Sequence, residues 1–175
     1  MINLFLPSSF VRMAMRSATA VALLISLLTP SCDTVDDTRI PVRPVFISFT
    51  DVGVWNTYGV AAALDYRSFI KDSRLPSGFP YTAQSATGFG GVLLVCDFDG
   101  APHAFDLACP VEMKADVRIA VNSQEAVAEC PVCHSVYDVF RLGQPLSGKA
   151  AEQGYGLTRY SVVSSAGGAY MTVTR

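Results

Sequence analysis

Histidine is scarce in this sequence: His103 and His134 are the two in 175 residues, so most acid–base schemes of catalysis have little to draw on. No Gly-x-Ser-x-Gly elbow, phosphate-binding glycine-rich loop or His-Glu-x-x-His pair occurs. Charge is sparse as well. Only 16% of residues are Asp, Glu, Lys or Arg, no Lys/Arg-rich stripe is present, and the formal charge is −2, which leaves no electrostatic footprint for nucleic acid. There is no repeat, low-complexity tract or second composition regime, and half the residues are hydrophobic, so a single domain is expected.

What is present begins with an export signal. Arg12 and Arg16 form a short basic region, and the apolar run from Ser17 to Leu28 is too short to span a bilayer comfortably, which reads as a signal h-region. Leu28-Thr-Pro-Ser-Cys32 follows, with Asp33, Asp36 and Asp37 and the prolines Pro41 and Pro44 behind it. Leucines, a small residue and then a cysteine resemble the lipobox of bacterial lipoproteins, although Pro30 is unusual in that motif. The expected division is therefore a signal peptide over 1–31, an acylated Cys32 with a polar tether over 32–44, and a folded domain over 45–175. Cleavage there leaves eleven basic against fifteen acidic residues, a charge near −4. The implied partner is a lipid membrane, and the implied location is the bacterial envelope, facing the periplasm or the cell exterior.

From Val45 onward, β-branched and aromatic runs alternate with Gly, Pro, Asn and Asp, the pattern of an all-β domain. Strands are expected at 45–49, 91–97, 101–107, 117–121, 126–129, 135–140, 157–163 and 169–174. Asp99-Gly100 and Ala166-Gly167-Gly168 supply hairpin turns between four of them. The stretch 56–86 fits either a short helix around Val60–Leu64 or a loop-and-strand insertion, and its aromatics Trp55, Tyr58, Tyr66, Phe69, Phe79 and Tyr81 are expected to pack rather than to line a groove. His103 reads as a solvent-facing strand residue. Asp97, Asp99 and Asp106 lack the alternating oxygen-ligand spacing of a calcium loop.

Four cysteines remain beyond Cys32: Cys96, Cys109, Cys130 and Cys133. Cys96 lies inside the apolar run Val92–Cys96, where a buried structural thiol is the usual explanation. The other three stand in Ala104-Phe-Asp-Leu-Ala-Cys-Pro110 and Cys130-Pro-Val-Cys-His-Ser-Val-Tyr-Asp138, followed by Gly143-Gln-Pro-Leu-Ser-Gly148 and a final strand pair.

In this order and with these residue types, the stretch from Gly91 to Val173 resembles the Rieske [2Fe–2S] domain. The resemblance implies an antiparallel β-sandwich with two cysteine-bearing hairpin loops, the first reading Cys-x-His and the second Cys-x-x-His, the histidines replacing cysteines on one iron. Here both histidine positions are altered, to Val111 and Cys133. Glu112 and His134 are the nearest candidates for a missing fourth ligand. Ser135 and Tyr137 match the residues that hydrogen-bond the cluster region in the family. Three states of Cys109, Cys130 and Cys133 stay open: a [2Fe–2S] cluster with a reassigned ligand, a zinc site, or a disulfide from Cys109 to Cys130 or Cys133 without metal. The reading favoured is a cluster-free structural or protein-contact module at the envelope, and the alternative is an electron carrier that meets a redox partner. Catalysis by Cys133 beside His134 is disfavoured, because neighbours on a strand point to opposite faces.

Overall fold

The apolar run Val92-Leu-Leu-Val-Cys96 has no polar alternation, so it must be covered on both faces, and the rest of the fold follows from that demand. A computed structural model describes residues 35–164 and 170–175. The strands, in chain order, are β1 (Val45–Phe49), β2 (Tyr66–Phe69), β3 (Ala86–Thr87), β4 (Val92–Cys96), β5 (Pro102–Asp106), β6 (Ala120–Asn122), β7 (Val127–Glu129), β8 (Val136–Asp138), β9 (Gln144–Ser147), β10 (Arg159–Ser164) and β11 (Met171–Thr174). Two short helices, α1 (Val52–Tyr58) and α2 (Lys149–Gln153), complete the set. The strands form a seven-stranded sheet in the order β2-β4-β5-β10-β11-β1-β3 and a four-stranded sheet in the order β6-β7-β8-β9. The domain is all-β, as the sequence leads one to expect.

Val92, Leu94 and Cys96 of β4 face one apolar cluster with Phe49, Trp55, Phe69 and Phe79. Leu93 and Val95 face the other, with Phe105, Leu107, Ile119, Ala128, Tyr137 and Phe140. The small sheet thus packs on one side of β4, and the 56–86 stretch covers the opposite side. Phe49 contacts Trp55, Phe69 and Phe79 edge-on, at 4.9, 5.7 and 5.6 Å between ring centroids. Those rings pack in the core, whereas Tyr66 is exposed.

The 56–86 stretch is a loop-and-strand insertion, and the helix lies ahead of Val60–Leu64. Asp51 caps α1 by accepting from Val54 N at 3.0 Å. Gly59 ends it, because a Cβ there would stand 2.6 Å from the Trp55 ring. The Asp65 carboxylate then accepts from Ala62 N at 3.1 Å, which holds the Val60–Leu64 backbone in a turn. Ordered pairing also begins ahead of β1, within the stretch expected as tether. Asp36 N donates to Gly154 O at 2.7 Å, Gly156 N donates to Asp36 O at 3.0 Å, and Ile40 is buried. The signal run, Cys32 and the 166–168 turn lie outside the described residues.

One buried carboxylate ties the large sheet to the loops above it. Asp106, at the end of β5 and 0% exposed, accepts from Phe89 N (3.0 Å), Gly90 N (3.0 Å), Ala108 N (2.7 Å) and Tyr160 Oη (2.5 Å). Four donors satisfy the charge, and in return the segment before β4 and the segment after β5 are fixed to one point. Asp106→Asn turns an NH2 group toward backbone N–H donors and leaves at least one of them buried without a partner. The expected loss is about 3 kcal/mol, seen as a fall in the thermal midpoint of about 10 °C; a fall under about 2 °C would contradict this role.

Candidate metal centre

Two tight turns at one end of the small sheet carry the three cysteines. β5 runs on through Leu107 and Ala108, which bridges Arg118, and the chain between forms the first turn, with Cys109 N donating to Val117 O at 3.0 Å. A single bridge closes this loop, in place of a hairpin ladder. The second turn joins β7 to β8, with Cys130 N donating to Ser135 O at 3.0 Å.

The sulfurs of Cys109, Cys130 and Cys133 all lie within 4.8 Å of one another. Cys109 Sγ and Cys133 Sγ are 3.6 Å apart. All are thiols: a disulfide requires about 2.05 Å between sulfurs, and the disulfide alternative, from Cys109 to Cys130 or Cys133, is not formed. The convergence that a metal requires is present instead.

The surroundings divide the three thiols. Cys109 and Cys130 are buried and Cys133 is half-buried. Burial pushes the Cys130 thiol up to about 12, against the backbone N–H groups of Cys133 and Val132 that point toward it. For Cys133, burial raises the value, but hydrogen bonding with the Ser135 side chain and backbone, and with the Cys130 and Cys109 thiols, outweighs it and holds the thiol below its ordinary range. Ser135 Oγ accepts from the Cys133 thiol at 3.2 Å and from Ala150 N at 3.1 Å, and once that thiol loses its proton the Ser135 hydroxyl can donate to the thiolate. Tyr137 Oη sits 3.6 Å from Cys109 Sγ. Burial first, then contact with Cys109, pushes that phenol well above its usual value, so it stays a donor. Ser135 and Tyr137 each touch a different sulfur.

Gly148 makes the third side of this arrangement possible. Its φ is +75°, and a Cβ there would lie 3.0 Å from Ser135 Cα and 3.2 Å from Ser135 Oγ. The β9–α2 connection can then lie against the second turn and deliver Ala150 N to Ser135.

The candidate fourth ligands do not join the sulfurs. His134 turns outward, its side chain 74% exposed and its Nδ1 2.8 Å from Glu129 Oε1. Cys96, expected as a buried structural thiol, is buried in the apolar cluster on the other face of β4. Among the described residues no carboxylate, Glu112 included, has an oxygen inside the three-sulfur group. His103 has a partner that its sequence context did not suggest: its Nε2 is 2.9 Å from Asp97 Oδ2, and this contact, with backbone donors from Ala101 and Asp99, holds the Asp97 carboxyl below its usual range.

A further regularity joins the two turns. Each begins Cys-Pro-Val, at 109–111 and at 130–132. Each closes with the N–H of the fifth residue donating to the cysteine carbonyl, Met113 to Cys109 at 2.9 Å and His134 to Cys130 at 3.0 Å. Each fifth residue has a left-handed backbone, with φ of 53° and 54°. The repeated tripeptide was visible in the sequence; the equivalence of the turns needed the structure.

A two-iron cluster does not fit this geometry. Its two ligand pairs stand at opposite ends of the cluster, and the resemblance assigns Cys109 to one iron and Cys133 to the other. Those two sulfurs are in contact here, and Val111 offers no lone pair.

The fold outline has counterparts among solved structures. The ferredoxin of carbazole 1,9a-dioxygenase from Nocardioides aromaticivorans is 16% identical, covering 75% of this chain and 95% of its own, with a TM-score of 0.40. A protein assigned as an NADH-dependent nitrite reductase small subunit from Mycobacterium tuberculosis is 14% identical, covering 76% of this chain and 96% of its own, with a TM-score of 0.39. At this level the likeness carries nothing about the site. No family model and no curated protein matches the chain.

The differing burial predicts an order of reactivity. Under limiting iodoacetamide on the reduced, metal-free native chain, Cys133 is expected to be modified first among Cys96, Cys109, Cys130 and Cys133, and peptide mass spectrometry reads the order. Prior modification of Cys130 would contradict the described burial.

Proposed function

We propose that this chain is an exported, lipid-anchored envelope protein whose Rieske-like domain holds a thiolate-bound metal and presents it close to the membrane surface. The observation that carries this reading is the convergence of three free thiols, from two separate turns, in a pocket where the Ser135 and Tyr137 hydroxyl oxygens lie 3.2 and 3.6 Å from sulfur. Bringing three cysteines together at the end of a small sheet serves little purpose as packing, since a disulfide or an aliphatic trio would hold the same place. It serves metal binding well, because thiolates attract soft ions and the binding energy adds to folding energy.

The anchor supports the second half of the reading. Arg39 Nη2 lies 3.3 Å from Met113 Sδ in the first turn, and its guanidinium stacks over Tyr155 at 4.1 Å. Arg39 is seven steps along the chain from Cys32, a reach of at most about 25 Å. With Cys32 acylated, the first cysteine turn lies within that order of distance from the bilayer, where a membrane-bound partner would meet it.

Three measurements test this. Metal analysis of the chain purified anaerobically from envelope fractions should find a thiophilic metal in stoichiometric amount, absent when Cys109, Cys130 and Cys133 are replaced together by Ser. A metal-free chain lacking two titratable thiols would contradict the reading and favour a disulfide staple. Cys32→Ser should move the chain from the membrane to the soluble fraction with its metal retained; continued membrane association would overturn the anchor. Metal removal by a strong chelator should lower the thermal midpoint, since a ligand at a thousand times its Kd stabilises by about 4 kcal/mol.

A further inference from the structure

We infer that the centre is mononuclear, a single divalent thiophilic ion of the zinc or ferrous class, held by Cys109, Cys130 and Cys133 with Glu112 as the fourth ligand. The inference rests on the metal-binding reading above and goes beyond it in nuclearity, ion class and ligand set.

Nuclearity follows from the sulfur spacing. Around a tetrahedral zinc with bonds of about 2.3 Å, neighbouring sulfurs stand about 3.8 Å apart, a length set by the geometry of the tetrahedron. Cys109 Sγ and Cys133 Sγ are 3.6 Å apart and no pair of the three exceeds 4.8 Å. Three sulfurs at such separations form one face of a single coordination sphere.

The fourth ligand follows from the equivalence of the two turns. In the second turn the sulfur ligands are the first and fourth residues, Cys130 and Cys133. The first turn has the same opening tripeptide, the same closing hydrogen bond and the same left-handed fifth residue. Its first residue is Cys109 and its fourth is Glu112, so the backbone position that delivers Cys133 in one turn delivers Glu112 in the other. Two such turns facing one another supply four side chains to one ion, three sulfurs and one carboxylate. The Glu112 side chain is half-buried and makes no ion pair among the described residues, so it is free to rotate inward when an ion arrives. The mismatch with the two-histidine pattern has a physical sense in this frame. Val111 is the third residue of its turn, as Val132 is of the other, and neither position is a ligand position.

Binding balances simply. The three thiols lose their protons to solvent as the divalent ion enters, and the carboxylate binds as it stands, which leaves the site with net charge −2.

The test uses the mature chain carrying Cys32→Ser, under reducing and anaerobic conditions, titrated with Co(II) as a spectroscopic stand-in and then with Zn(II) in competition. One cobalt per chain is expected, with tetrahedral ligand-field bands and sulfur-to-cobalt charge-transfer absorption, displaced by one zinc. Glu112→Cys should complete a four-sulfur site: charge-transfer intensity rises by about a third and zinc affinity by at least about tenfold. Glu112→Ala should shift the ligand-field bands and weaken zinc by about tenfold. An unchanged spectrum in both variants would overturn Glu112 as ligand. Uptake of two irons with two sulfides per chain would overturn the mononuclear centre while leaving the metal-binding function intact. Failure to bind any of cobalt, zinc or iron would overturn both.

Discussion

The buried carboxylate of Asp106 fixes where the functional end of this domain can be. It gathers the N–H groups of Phe89 and Gly90 from one side of β4, that of Ala108 from the far end of β5, and the Tyr160 hydroxyl from β10. A buried charge with four donors is tolerable, and the same charge with fewer is not, so the three segments are bound to one another by the cost of separating them. Cys109 lies three residues beyond Asp106. Its sulfur inherits a position defined by the large sheet, while Cys130 and Cys133 inherit theirs from the small one. The Leu93, Val95 and Phe105 layer between the sheets then sets the distance between the turns.

Within that frame the chemistry of the centre is decided by small groups. Ser135 Oγ accepts from Ala150 N and from the Cys133 thiol, and Gly148 is what allows the β9–α2 connection near enough to arrange this. Tyr137, buried and kept protonated, faces Cys109. Hydroxyl donors beside thiolates stabilise the charge that metal binding creates, and they do so whichever soft ion is held. Hydroxyls thus stand beside two of the sulfurs, while Val111 offers no lone pair and Cys133 closes onto the Cys109 sulfur.

Much of the β framework was legible because burial and periodicity agree there. Val45–Phe49 matches the observed strand residue for residue, and the Val92–Cys96 run could only be a strand covered on both sides. Three strands were not read. β2 and β9 lie at sheet edges, where Tyr66-Arg-Ser and Gln144-Pro carry weak β character, and Pro145 demotes a strand that an edge position tolerates. β3 is two residues long and exists through its pairing with β1. The site was legible as three cysteines with adjoining Ser135 and Tyr137. Their convergence was not, because spacing does not distinguish a disulfide from a metal pocket, and the outward turn of His134 comes from a left-handed backbone in a non-glycine residue.

X-ray absorption at the metal edge, on the chain isolated anaerobically with any metal it carries, tests the central claim most directly. The account predicts three sulfur scatterers at a thiolate distance of about 2.3 Å, one lighter oxygen scatterer, and no metal–metal shell. A metal–metal shell accompanied by bridging sulfide would contradict it, and would mean that Cys109 and Cys133 separate to hold two irons.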